Sequence, residues 1–370
     1  MTKLPQVYVP CLRWKQGEYQ ALLQLPGDVS KRVFPLIEVA EIGWDFELNR
    51  DCKTVDEHLL HFARRVHDKW GRRSCFVDLC HIPDAMKMAD GADAATFVFS
   101  GLQQRGVPAT PVFRLPENGA RLNALTDAFA QGDNGAALRI RLEEAARKDF
   151  KARLDGLLAG IGAVPTEVHL VLDLGAPNFK PLDGLAGLVE GILRQLPYLN
   201  DWLTLTLIGT AFPPTMAEVG RGLTRVDRSE WSLYKALVAR LANGDVRVPA
   251  FGDYAISHPE VAAINPRFLK PSASLRYTVD DAWLIAKGVN VREHKFGQYR
   301  QLCEQVIKSG QFAGPDYSSA DQYILDCAAG TASTGNLSVW RRIGTSHHLV
   351  KAVRDLAILA DTSSSALRNP

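Results

Sequence analysis

Short β-type runs alternate with helical stretches along the first two-thirds of this chain, and several of the runs end on a charge. The runs are QVYVPCL (6–12), VFPLIEV (33–39), CFVDL (75–79), TPVFRL (110–115), ALRIRL (137–142), VHLVLDLG (168–175), LTLTLIGTAF (203–212) and VRVPAFGDYA (246–255). Helical patterns follow at 17–25, 55–70, 93–106, 122–132, 148–162, 182–196 and 229–244, and only the eighth run lacks an immediate one. Strands joined through helices are parallel, because a parallel neighbour is reached only by a crossover. Eight such units over roughly 250 residues predict a closed (β/α)8 barrel of the TIM-like kind. The alternative is an open doubly wound sheet, but no GxGxxG follows the first strand.

The faces of the runs favour closure. Leu138, Ile140 and Leu142 share one face and Arg139 and Arg141 the other. Val168, Leu170, Leu172 and Leu174 oppose His169, Val171 and Asp173, and Leu203, Leu205 and Leu207 oppose Thr204, Thr206, Ile208 and Thr210. The apolar face should meet the helices and the mixed face the barrel axis, whereas an open sheet covered on both sides would prefer two apolar faces.

The rhythm changes after residue 256, so the barrel is expected over 1–256 and a C-terminal extension over 257–370. SLRYTV (274–279) and AWLIAKG (282–288) read as a β-hairpin, 297–310 and 319–330 as helices, 331–348 as loop-like at first, and 348–360 as a final helix. The extension should close the ring beside the eighth strand and carry 340–348 to the barrel mouth, since Trp340 is costly to leave exposed.

Composition narrows the function classes. The 43 basic and 41 acidic residues leave a net charge of +2, which indicates neither nucleic acid nor an anionic membrane. No uninterrupted apolar run approaches the roughly 18 residues of a membrane span, and the N-terminus lacks a signal-like core, so a cytoplasmic protein is expected. The six cysteines form no CxxC pair or zinc-type spacing and read as free thiols. No GxxxxGK[ST] loop and no GxSxG elbow occurs.

A ring of charges at strand C-termini is what a parallel barrel presents at a catalytic mouth. Glu38, Asp78, Asp173 and Asp253 are the candidate catalytic carboxylates, and Glu38, Asp78 and Asp173 could hold a divalent metal through oxygen ligands. Arg114 and Arg141 would grip a phosphate or carboxylate, with Lys15 and Tyr254 beside them. The competing reading is that these charges pair with one another and fill the barrel. Arg139 sits a layer deeper than Arg141 and reads as structural, with Asp173 or Asp78 as its partner. His169 reads as a hydrogen-bonded core residue, and His81 as a loop residue within reach of the mouth.

Two segments, YVPCLRWKQGEYQAL (8–22) and VWRRIGTSHHLVKAV (339–353), resemble the opening and close of the beta-protein family, named for a protein of T-even bacteriophages. The matching residues are Tyr8, Pro10, Trp14, Lys15, Gly17, Glu18 and Leu22, then Trp340, Arg341, Gly344, Thr345, His347 and His348. The resemblance implies a phage or mobile-element context and no particular reaction. If the two ends meet at the mouth, Lys15, Arg341, His347 and His348 would form a basic, substrate-binding rim suited to a small phosphorylated ligand. The expected activity is therefore a hydrolase or lyase acting on a ligand such as a nucleotide. A sugar-acting barrel with two carboxylates is the enzymatic alternative. A non-catalytic protein binding a protein partner in phage–host conflict is the alternative from another class.

Overall fold

The computed structural model describes residues 4–45, 49–115, 119–242, 244–260 and 270–366. Eight parallel strands close a barrel: β1 (Tyr8–Arg13), β2 (Leu36–Glu38), β3 (Cys75–Asp78), β4 (Ala109–Phe113), β5 (Ala136–Arg141), β6 (Val168–Asp173), β7 (Thr204–Gly209) and β8 (Ala250–Asp253). Each pairs with its sequence neighbour and β8 pairs with β1, Val9 opposite Gly252, so the fold is a (β/α)8 barrel.

The two faces of each strand separate as their patterning requires. Val9, Cys11, Leu36, Phe76, Val112, Ala137, Val171, Ile208 and Tyr254 form an inner cluster. Tyr8, Leu12, Leu138, Leu170, Leu172, Leu205, Leu207 and Phe251 join the larger core between barrel and helices. Gly252 is required inside, because a Cβ there would lie 2.3 Å from Ile208 Cγ2 and 2.4 Å from the Val9 carbonyl oxygen. His169 is a core residue at the lower end, bonded to Thr204 Oγ1 at 2.8 Å and edge-on to Phe76.

The extension builds a second core around a three-stranded antiparallel sheet. The expected hairpin is present as Ser272–Thr278 and Ala282–Asn290. The sheet's third strand, Gly222–Asp227, comes from before residue 256. Its alternating pattern of exposure on one side is that of an edge strand. The segment read as loop-like before residue 348 is instead helical from Leu337, in one helix running to Ala366. Its small and polar residues 344–348 are buried against neighbours, and tertiary packing outweighs their weak helix preference. Leu349, Val350, Ala352, Val353 and Leu356 of this helix enter the main core, so it supplies the cover that β8 lacks. Trp340 is buried and stacks on Tyr299 with ring centroids 4.3 Å apart. All six cysteines are free, four of them buried. Among the described residues no helix is long and apolar enough to cross a membrane.

Candidate active site at the barrel mouth

Five of the expected charges converge at the C-terminal end of the barrel, around Arg139, the arginine expected to be structural. The Arg139 guanidinium, buried in the middle, donates from Nη1 to Glu38 Oε1 at 2.9 Å and Asp78 Oδ2 at 2.8 Å. It donates from Nε to Asp173 Oδ2 at 2.9 Å, and from Nη2 to the Tyr254 hydroxyl at 2.7 Å. Tyr254 in turn donates to Asp173 at 2.8 Å. Glu38, Asp78 and Asp173 therefore do surround a cation, as a metal reading of those three expects, but the cation is Arg139. The oxygens expected to ligate a metal already accept from a guanidinium, which corrects that assignment. A buried arginine needs such partners, since an uncompensated charge there costs several kcal/mol.

The outer ring is built on this plug. Arg114 makes a forked pair with Asp78, Nη2 to Oδ2 at 2.7 Å. Arg141 is half exposed and reaches only within 3.7 Å of Asp173, which leaves its head turned to the mouth. His81 Nε2 lies 2.9 Å from Glu38 Oε2. Burial alone would raise the Glu38 carboxyl, but Arg139 and His81 beside it hold it well below the usual carboxylate range. Asp78 is likewise raised by burial and pulled below its ordinary value by Arg114 and Arg139. Both are fixed anions and poor proton donors, the opposite of what a glycosidase acid requires.

Three expected site residues lie elsewhere. Asp253 points away from Tyr254, into the layer between barrel and helices, because consecutive strand residues face opposite ways. There it accepts from Tyr8 Oη at 2.5 Å and from His348 Nε2 at 2.9 Å, and Thr278 Oγ1 donates to His348 Nδ1 at 2.9 Å. All four side chains are buried. His347 pairs with Asp321 at 3.0 Å and stacks on Tyr277. The two histidines thus pin the C-terminal helix and do not reach the mouth.

The two family-like ends do meet there through other residues. The first helix, Gln16–Leu23, crosses the C-terminal helix at Gly17, where a Cβ would lie 2.3 Å from Arg341 Cγ. This contact sets Arg341, Lys15 and Glu18 together in a cavity of about 270 Å³ whose floor is Cys11, Glu38 and Tyr254. A cleft of about 810 Å³ opens beside it, and Lys15, Pro214, Met216, Arg276 and Arg341 line both. Lys15 pairs with Glu41 at the rim. A further cavity of about 390 Å³ lies between helices at the opposite end of the barrel and has no basic side chain in its lining.

Arg276 and Glu18 are the functional candidates that strand-end reasoning missed. Arg276 donates to the Ile256 carbonyl at 2.8 Å and, among the described residues, pairs with no carboxylate. Burial and the nearby Arg341 charge push its guanidinium well below the usual arginine value, with Tyr299 and Glu18 pulling the other way. Glu18 is buried and accepts from Ser257 Oγ at 3.2 Å through one oxygen, while its other oxygen has no hydrogen-bond partner among the described residues. Burial raises its carboxyl above the ordinary value despite Arg341, Arg13 and Lys15. Glu18 was visible as a family-like residue. Arg276 gave no signal, because it sits in the extension's hairpin and meets the site only through the fold.

The mouth defines a (β/α)8 barrel protein with an arginine-plugged core and a basic cleft shared between barrel and extension. The chain belongs to the Beta protein family, whose profile matches residues 8–354. Comparison with curated protein sequences gives no match. Among solved structures the chain is similar to a triosephosphate isomerase from Bartonella henselae, with 15% identity, a TM-score of 0.34, and coverage of 67% of this chain and 92% of that one.

Proposed function

We propose that the chain is a hydrolase or lyase acting on a phosphate-containing ligand, such as a nucleotide, bound in the cleft at the barrel mouth. The observation that carries this is the Arg276–Arg341 pair. Two guanidiniums, Arg276 half-buried and, among the described residues, paired with no carboxylate, face a shared cavity, and a bidentate anion would satisfy both. Lys15 and Arg141 would add charge at the rim. Glu18 would move the proton: its raised carboxyl can stay protonated where an ordinary glutamate would not, and donate to a leaving oxygen. The Arg139 plug would serve as a rigid floor that holds Tyr254 and Glu38 in place.

The test is a binding and turnover screen of nucleotides, phosphosugars and neutral sugars, with and without divalent metals. Arg276→Met should abolish binding of the hit, and Glu18→Gln should keep binding and lose turnover. Binding of neutral sugars alone would overturn the phosphate reading.

One observation favours a second reading, a non-catalytic protein that binds a protein partner in phage–host conflict. The floor carboxylates are all engaged in ion pairs, so the barrel's own acids offer no free general base. Under that reading no small ligand binds and Glu18→Gln changes nothing.

A further inference from the structure

We propose that Glu38, Cys80 and His81 form a transition-metal site, suited to Zn²⁺, on the barrel rim beside the Arg276–Arg341 cavity, whose floor Glu38 also lines. Their ligating atoms, a carboxylate oxygen, a thiol sulfur and a ring nitrogen, lie within 4.8 Å of one another. This is a different site from the Glu38–Asp78–Asp173 cluster, whose centre Arg139 fills, and it does not depend on which ligand the cleft takes.

Local structure places the three. The chain leaves β3 in a turn fixed by Asp78 Oδ1, which accepts from the Cys80 backbone N–H at 2.9 Å. That turn presents Cys80 and His81 side by side beside the end of β2. Glu38 is anchored through one oxygen only: Oε1 accepts from Arg139 at 2.9 Å and from the Cys11 thiol at 3.2 Å. Oε2 turns outward to His81 Nε2. A ligating carboxylate held by a buried guanidinium is the kind of outer support that metal sites use to orient their ligands. Sulfur, nitrogen and oxygen from three residues with a fourth position open is the donor pattern of a catalytic zinc site. Access exists, because Cys80 also lines a cavity of about 210 Å³ with Asp84 and Arg114.

The charges around the trio have both signs. Arg13 Nε lies 3.8 Å from Glu38 Oε2 and 3.7 Å from Glu41 Oε2, and it can turn wholly to Glu41 when an ion takes the first oxygen. Arg114 and Arg139 are already paired with Asp78. Burial, then Asp78 and Glu38, push the Cys80 thiol up. Metal entry replaces the thiol proton, so one proton leaves for each ion bound. The His81–Glu38 hydrogen bond opens as both atoms turn to the ion.

The experiment uses the full chain, stripped with chelator and then titrated with Zn²⁺ by calorimetry and with Co²⁺ by absorption. Expected are one ion per chain and a thiolate-to-cobalt charge-transfer band. Cys80→Ser should remove the band and weaken binding by at least about 100-fold, beyond what loss of an outer-sphere partner costs. His81→Ala should weaken binding comparably, and the exposed-thiol control Cys52→Ser should change neither. Both test substitutions fall on a surface turn, and circular dichroism checks that the variants fold. Substoichiometric binding, or a band that survives Cys80→Ser and vanishes in Cys11→Ser or Cys52→Ser, overturns the proposal.

Discussion

Replacing Arg139 with methionine tests whether the barrel floor is an ion plug. The substitution keeps an unbranched stem, ends where the guanidinium began, and removes the charge. Glu38, Asp78 and Asp173 then remain buried with their shared partner gone. Breaking a buried ion pair by removing one member costs about 3–5 kcal/mol, because the other charge is left uncompensated. Here three carboxylates share the loss, although Arg114 still holds Asp78 and His81 still reaches Glu38, so the same range is a fair expectation. Against a total stability of roughly 5–15 kcal/mol, that is a large fraction.

The pH dependence separates this account from simple loss of packing. In the wild type Glu38 and Asp78 sit below their ordinary values. Their contribution is present above the unfolded value near 4 and is lost as pH falls through the folded values. In Arg139→Met the balance reverses: burial is no longer offset, the folded carboxyls rise above the unfolded value, and stability falls as pH climbs past about 4. The difference between wild type and variant should therefore be smallest at acid pH below the wild-type folded values, be already present at pH 4.5, and grow further towards pH 8 as the variant's raised carboxyls ionise. Urea denaturation followed by circular dichroism at several pH values measures it. A loss below about 1 kcal/mol, or one of equal size at pH 4.5 and pH 8, would refute the plug.

Three further outcomes follow from the packing. Gly17→Val should cost about 1–3 kcal/mol, as overpacking does, and should displace Arg341, whose Cγ lies where the new Cβ would go; thermal denaturation and ligand binding should both respond. Burial lowers His348 below its ordinary value, so the unfolded chain takes up a proton that the buried ring refuses. Wild-type stability should then decline as pH falls through about 6.5, and His348→Gln should reduce that slope in a series of melting temperatures, leaving the part that His169, lowered by burial too, contributes. Deleting the chain from Trp340 onward should prevent folding, because Leu349, Val350 and Leu356 leave the main core; insolubility or a molten near-ultraviolet spectrum is the expected readout.

The barrel could be read from the chain because its cause is local and repeated. Each strand declares itself by its short β-type run, most helices by their length and several by a following glycine, and the parallel order follows from the alternation. Inner and outer faces were readable for the same reason, down to Arg139 as a layer below Arg141. What escaped was set by distant partners. Residues 337–347 are polar and glycine-bearing, and only burial against the outer sheet and barrel makes them a helix. Gly222–Asp227 is an edge strand recruited by a hairpin some fifty residues later, and its own composition gives it no companion.

The site divides along the same line. Strand position correctly brings Glu38, Asp78, Arg114, Arg141, Asp173 and Tyr254 to one end, but position does not decide what a charge does there. Asp253 adjoins Tyr254 in the chain, and a single step along the strand turns it out of the barrel into a network with Tyr8 and His348. Three carboxylates at a barrel mouth look alike in sequence whether they hold a metal or a guanidinium. The answer depends on whether an arginine one layer down is long enough to rise among them, and Arg139 is. The unpaired chemistry lies instead where the chain's two ends cross. Among the described residues, Glu18 keeps a buried oxygen without a hydrogen-bond partner and Arg276 pairs with no carboxylate. The barrel supplies the rigid wall of the site, and its first helix and the added hairpin supply Glu18 and Arg276, the groups that still seek a partner.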